Sequence, residues 1–309
     1  MLSIEIATFW KGARMPVTPL VSVITATYNM GRYLGDTLDS ILGQTHQHIE
    51  AVVVDDGSTD EDTPRVLERY ADDPRVVVIR QDNAGQTVAK NNGLRHARGE
   101  FIGFCDADDL WRPDKIAWQL PLFDGRDDLG VVYGDFQFID GEGTPIETVR
   151  PRTHSGRITG PLLADNFIHF PTTLTRRSVL DEFGGFDESL SMAIDYDLWL
   201  RISTKYEFAF VPRILVDYRI WSGQMSHRTG ERLDNAFRMM RTFLAEHPDA
   251  CTASEVRTAW AHTYVTRAIW HAREGRNAAA LTDFARGLLR DPLSRRSWWA
   301  LSAWPRRRL

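Results

Sequence analysis

The chain has 309 residues, 43% of them hydrophobic and 26% charged, with a formal net charge of −5. This is the make-up of an ordinary globular protein, large enough for one sizeable domain and an appendage. The acidic balance, with no aromatic-and-basic recognition motif, excludes nucleic acid as an expected partner. No apolar stretch approaches the roughly 18 residues that span a bilayer.

The N-terminal residues 1–19 read as an extension without a signal-peptide pattern. The chain's two cysteines, Cys105 and Cys251, lie far apart with no metal-type spacing, and Cys105 falls in a predicted buried strand. Reduced thiols and a cytoplasmic location follow as expectations. From residue 20 onward, short apolar runs alternate with amphipathic segments. Val21–Ala26, Ala51–Val54, Val76–Ile79 and Phe101–Cys105 read as strands, and Tyr33–Leu42, Asp60–Tyr70 and Thr87–Ala97 as the helices between them. This alternation predicts an α/β fold with a doubly wound, mainly parallel sheet. Residues 133–229 carry a mixed pattern, with sharp turns at Asp140-Gly141-Glu142-Gly143 and Gly184-Gly185 and a helix over Asp195–Thr204. Residues 230–309 read as an all-helical extension: 231–246, 253–274, 277–290 and a last segment from Leu293. The Gly275-Arg276-Asn277 break resembles one helix–turn–helix repeat unit. A single unit makes no solenoid, so packing against the main domain is expected.

Chemistry concentrates at the strand ends. Asp106-Ala107-Asp108-Asp109 follows the fourth strand, at the sheet edge where open α/β folds bind ligands. Crowded carboxylates repel unless a positive charge sits among them. Mg²⁺ or Mn²⁺ would take these oxygens together with phosphate and water. A solvated turn capping the next helix is the alternative reading. After the first strand, Thr27-Tyr28-Asn29 leads into a helix whose backbone amides suit a base or phosphate. After the second, a carboxylate in Asp55-Asp56-Gly57-Ser58-Thr59-Asp60 can accept from a pyrimidine N–H or from ribose hydroxyls, unless it serves only Asx-turn and capping chemistry. After the third comes Asn83-Ala84-Gly85-Gln86, then Lys90, either a phosphate partner or a surface lysine.

Taken in order, these motifs resemble those of family 2 glycosyltransferases with the GT-A fold. The residues that carry the resemblance are Val21-Ser22-Val23-Ile24 with Tyr28-Asn29, Ser40–Thr45, Val54–Asp60, Asn83–Gln86, Lys90–Gly93 and Gly99–Ile102 leading into Asp106–Asp109. It implies a nucleotide-sugar donor, UDP-linked before GDP or dTDP, and inverting transfer to an acceptor hydroxyl. Residues 20–132 would then bind the nucleotide sugar and 133–229 the acceptor, together forming the catalytic domain. By position, Asp56 would hold the base, with Thr27 and Tyr28 lining its pocket; Asn29, Gly85 and Lys90 complete the donor-binding set. Asp106 and Asp108 match the family's metal motif, one carboxylate on the ion and another on the ribose. Asp108 is the first choice for the ion, and Asp109 the third candidate. Inversion needs a base on the acceptor side. The resemblance assigns it to Asp195 in Met192–Arg201, where Ile194 replaces the family's usual Glu; Asp197 competes, and capping of the helix is the plain alternative. Arg219 and His227, in a segment resembling the family's closing loop, are candidate diphosphate contacts. The Gln-x-x-Arg-Trp signature of processive synthases is absent, which favours one sugar per binding event.

At the C-terminus, Trp298, Trp299 and Trp304 lie among Arg290, Arg295, Arg296 and Arg306–Arg308. This suits either peripheral contact with anionic lipid at the inner face of the cytoplasmic membrane or packing against the main domain. Membrane contact would serve a lipid-linked acceptor; a glycan acceptor in bacterial cell-surface polysaccharide or glycolipid synthesis is equally consistent. Two rivals stand. A nucleotidyltransferase would carry a Gly-rich basic loop, which Thr27–Met30 does not resemble. A catalytically silent sugar-nucleotide-binding or scaffold protein has no need of both Asp195 and the acidic cluster.

Overall fold

The computed structural model describes residues 18–148, 150–224, 229–293 and 298. Its first half is β1 (Val21–Thr27), α1 (Gly31–Leu42), β2 (Ile49–Asp55), α2 (Asp62–Glu68), β3 (Val76–Arg80), α3 (Gln86–His96) and β4 (Phe101–Phe104). Then come β5 (Leu110–Trp111), α4 (Lys115–Gln119), β6 (Leu129–Ile139), α5 (Thr159–Ala164), β7 (Leu174–Arg176), α6 (Arg177–Phe183), α7 (Ile194–Ser203) and β8 (Glu207–Arg219). Three long helices follow: α8 (Thr229–Glu246), α9 (Ala253–Arg273) and α10 (Asn277–Arg290).

All eight strands form one sheet in the order β3-β2-β1-β4-β7-β6-β8-β5. The first four are parallel, as strand–helix alternation dictates. Beyond β4 the sheet is mixed: β7 runs antiparallel to both β4 and β6, β6 and β8 pair parallel, and β5 pairs antiparallel with β8. The parallel half therefore matches the expectation, and the antiparallel insertion is what the mixed sequence pattern after residue 129 encodes.

Strands covered on both faces read as largely apolar runs. Successive side chains of β1 divide between two cores. Val21 and Val23 pack with Leu34, Leu38 and Ile41, which sit at helical spacing on α1. Ile24 faces the other way, into a core with Phe104, Trp199 and Phe208. Met239, Met240 and Phe243 of α8 and Ala259 of α9 join that same core, so the C-terminal helices pack on the main domain. The start of α9 carries a capping box, with the Thr252 hydroxyl accepting from Glu255 N at 3.2 Å and the Glu255 carboxylate accepting from Thr252 N at 2.8 Å. α10 lies close on α9: a Cβ on Gly287 would stand 2.9 Å from Val265 Cγ2. The N-terminal extension up to residue 17, and the last predicted segment apart from Leu293 and Trp298, lie outside the described residues.

Candidate active site

The C-terminal ends of β1, β2 and β4 open into one cleft of about 1520 Å³. The Asp106 and Asp108 side chains line it, together with Thr27, Tyr28, Asn29, Asp56, Gly85, Lys90 and Asp195. Nine of the residues named from sequence thus converge, although they come from both halves of the chain.

The turn after β1 is built by Asn29. Its backbone is left-handed, with φ of 55°, a conformation Asn tolerates. Its carboxamide oxygen accepts from Thr59 N at 2.7 Å and from Asp60 N at 3.1 Å, which ties the β1 end to the loop after β2. Thr27 is buried, with a hydroxyl that has no partner among the described residues. Tyr28 stands half exposed at the rim. Asp56 is buried and accepts from Gln81 Nε2 at 2.7 Å, Ala84 N at 2.8 Å and Gly85 N at 2.9 Å. It thereby fixes the loop ahead of α3. Gly85 reaches its place with φ of 89°, which side-chain-bearing residues rarely adopt.

Lys90 is no surface lysine. It is 4% exposed, lies 2.9 Å from Asp106 Oδ1, and its ammonium sits 4.5 Å from the Phe170 ring centre. The neighbouring Asp108 is buried. Its Oδ2 accepts from Trp221 Nε1 at 2.7 Å and from Gln224 Nε2 at 3.3 Å. Burial, then the Asp106 charge, push its carboxyl above the usual range.

Asp109 departs from the expectation that it is a metal candidate. It is fully buried and absent from the cleft wall; its Oδ1 accepts from Arg219 N at 3.0 Å. The tight turn at Asp106–Asp109, closed by Asp109 N donating to Asp106 O at 3.0 Å, leaves Asp106 and Asp108 on the cleft and the last carboxylate inward. Arg219 is likewise a strut and not a loop contact. As the last residue of β8 it is buried, donates to Asp108 O at 2.9 Å and Gly141 O at 3.1 Å, and lies over the Tyr33 ring. His227 lies outside the described residues.

Across the cleft, α7 begins after Ala193, whose φ of 59° is left-handed. Asp195, in its first turn, aims into the cleft and accepts from Asn166 Nδ2 at 2.9 Å. Burial raises its carboxyl above the usual value, partly offset by Asn166, the Tyr196 amide and the Lys90 charge. Asp197, the competing candidate, is outside the cleft wall. It pairs with Arg201 at 2.9 Å, which in turn donates to Phe183 O and Gly185 O.

Other residues of the wall carried weaker sequence signals. Asn166 had none. Trp221 and Gln224 were visible only as members of a loop. His169 packs edge-on against Phe136 and beside Tyr218, and burial pushes its imidazole down to about 4, so it is neutral near physiological pH. Leu233 and Ala236 of α8 and His262 and Thr266 of α9 close the Asp195 side of the cleft.

A divalent cation fits this donor set in part. Asp106 and Asp108 put two carboxylates on one cleft, the number Mg²⁺ or Mn²⁺ usually takes from protein when phosphates supply the rest. Among the described residues no third His, Cys, Asp or Glu joins them to form a protein-only cage.

Comparison with known proteins bears on the family and the fold. The profile of glycosyl transferase family 2 matches residues 22–184, more than half of the chain. An uncharacterized glycosyltransferase of Rickettsia typhi is 32% identical over 235 residues, covering 74% of this chain and 72% of that protein. The chondroitin synthase of Escherichia coli is 36% identical over 207 residues, 66% of this chain and 29% of its own length. A Rickettsia felis relative is likewise longer, the chain spanning 38% of it. Among solved structures, Staphylococcus aureus TarS 1-349 in complex with UDP-GlcNAc superposes with a TM-score of 0.68 at 19% identity, over 88% of this chain and 81% of that one. The Pyrobaculum calidifontis mannosyltransferase PcManGT, in complex with GDP-Man and Mn²⁺, gives 0.57 at 22% identity, over 93% and 84%. These likenesses place the sheet, its order and the covering helices in the GT-A fold. The chain belongs to glycosyl transferase family 2 and is a glycosyltransferase.

Proposed function

We propose that the protein transfers one sugar per binding event, with inversion, from a UDP-sugar to an acceptor hydroxyl in the synthesis of a bacterial surface polysaccharide or glycolipid. The observation that carries this reading is the placement of Asp195 in one cleft with the Asp106/Asp108 pair. In-line displacement needs a base on one side of the anomeric carbon and charge stabilisation on the other, and Asp195 and the acidic pair are suited to these two parts.

The chain's own residues divide the work as follows. Thr27, Tyr28 and the Asp56-anchored loop receive the nucleoside. Lys90, buried beside Asp106, gives positive charge to the diphosphate side. Asp195 takes the acceptor hydroxyl's proton, with Asn166 holding its carboxylate in place. The acceptor enters on the Asp195 side, against α8 and α9. A divalent cation held by Asp106 and Asp108, when bound, supplies Lewis-acid neutralisation of the leaving diphosphate.

UDP before GDP rests on the sequence resemblance and the TarS complex; PcManGT, with GDP-Man, is the precedent for the other nucleotide. A thermal-shift screen of UDP-, GDP- and dTDP-sugars with and without Mn²⁺ tests the reading, because a ligand at 100 times its Kd stabilises by about 2.7 kcal/mol. A Mn²⁺-dependent shift with a UDP-sugar is expected. Equal shifts with and without the metal, or a response to GDP-sugars alone, would overturn that part of the assignment.

A further inference from the structure

Asp106 and Asp108 are held in opposite ways. Asp106 meets a cation, Lys90, at 2.9 Å. Among the described residues, the side chains that bond Asp108 are neutral: its Oδ2 accepts from Trp221 Nε1 at 2.7 Å and from Gln224 Nε2 at 3.3 Å. A cation cancels a carboxylate's charge, whereas a neutral N–H orients the group and leaves its charge in place. Asp108 therefore stands at the cleft wall with its direction fixed and its charge not cancelled by the groups that fix it.

Both donors belong to a stretch that is itself tied down. Arg219 N donates to Asp109 Oδ1 at 3.0 Å and Arg219 Nε to Asp108 O at 2.9 Å, so residues 219–224 grip the Asp108-Asp109 turn at four points. Gln224 Nε2 also donates to Arg219 O, and its Oε1 accepts from Trp221 N at 3.4 Å, which closes the stretch on itself. The Trp221 ring packs 5.8 Å from the Tyr33 ring, centre to centre, and Gly223 lies so close to it that a Cβ there would collide. An indole has a single N–H, and a ring wedged in this way aims it at one acceptor.

We propose that Trp221 is a positioning residue for the divalent cation: its indole engages Asp108 Oδ2 and leaves the other oxygen, Oδ1, for the ion. The inference rests on the reading of Asp106 and Asp108 as the metal pair. Trp221 acts through Asp108 and does not touch the ion, as is general for the hydrogen-bonded partners of metal-ligating carboxylates. It also divides the labour within the pair. Asp106 is committed to Lys90, and Asp108, steadied from a segment 113 residues away, offers the charge that a cation answers. A role in packing alone needs the ring but not its N–H, and Trp221→Phe separates the two.

The test titrates Mn²⁺ alone into the full chain, followed by electron paramagnetic resonance, for the parent, Trp221→Phe and Gln224→Ala. Trp221→Phe should raise the Mn²⁺ Kd about 10–100-fold. Gln224→Ala, which loses the longer of the two bonds and keeps the indole, should raise it less. Melting temperature and calorimetric binding of UDP in the presence of EDTA are measured on the same samples, and Trp221→Phe should match the parent in both. An equal Mn²⁺ Kd in parent and Trp221→Phe would overturn the proposal while leaving the metal pair standing. A parent that binds no Mn²⁺ would overturn the metal reading and the proposal with it. Metal-free UDP binding that falls as far as Mn²⁺ affinity in Trp221→Phe would also overturn it, because the indole would then shape the cleft and not the carboxylate.

Discussion

Asn166 offers the most direct test of Asp195 as the base. Its amide donates to Asp195 Oδ2 at 2.9 Å and is among the influences that hold down a carboxyl raised by burial. A hydrogen bond to a charged group contributes roughly 1.5–3 kcal/mol, and about 1.4 kcal/mol is a tenfold change in a protonation equilibrium. Asn166→Ala removes that contact, so Asp195 holds its proton to higher pH. On the acid limb of the kcat/KM profile, the variant should keep about a tenth to a hundredth of the parent's rate. At alkaline pH the two rates should converge, because both carboxylates are then ionised. The assay is nucleotide release measured from about pH 5 to 9, where general-base profiles show their limbs. Asp195→Asn completes the test: transfer should fall about 10²–10⁴-fold, the usual share of a positioned base, with donor binding retained. The sign of the stability effect also follows. Burial raises the folded-state pKa, so the carboxyl favours folding below its unfolded pKa and loses that contribution as pH rises through the raised value. Near neutrality Asp195→Asn should therefore melt no lower than the parent. An acid limb in Asn166→Ala that stays where the parent's lies, or moves to lower pH, would refute the reasoning.

The remaining predictions concern the neighbours. Asp197→Ala should lower the melting temperature by freeing Arg201 while leaving the acid limb in place; a moved limb would return Asp197 to candidacy. Asp108→Asn should weaken Mn²⁺ binding in an electron paramagnetic resonance titration and lower kcat by roughly 10²-fold, the order for losing one stabiliser of transition-state charge. Unchanged Mn²⁺ affinity would remove Asp108 from the metal site. Gly103→Ala places a Cβ 2.4 Å from Cη2 of the buried Trp111 ring, and overpacking of this kind costs about 1–3 kcal/mol. Thermal denaturation should show a clear loss, and an unchanged melt would mean that the ring moves freely.

Much of this protein was legible in the chain. The parallel half of the sheet follows from apolar runs and helical spacing, because strands covered on both faces must be apolar and helices must bury one stripe. Strand-end polar motifs fall at the cleft for the same reason: in a parallel sheet every strand delivers its following residues to one edge. Asp56, Asp106 and Asp108 could therefore be expected at the cleft from strand position, whereas Asp195, at a helix start, was expected there only from the family resemblance. Only the tertiary structure separated Asp108 from Asp109 and Asp195 from Asp197. Residues one or two apart can point in opposite directions, and which way each points depends on neighbours distant in sequence. Arg219 draws Asp109 inward from β8, and Arg201 holds Asp197 away from the cleft. The same is true of Asn166 on Asp195, Lys90 on Asp106, and the wall that α8 and α9 add beside Asp195. Local periodicity determines which elements form and where their ends gather; long-range packing determines which side chain at each end faces the cleft.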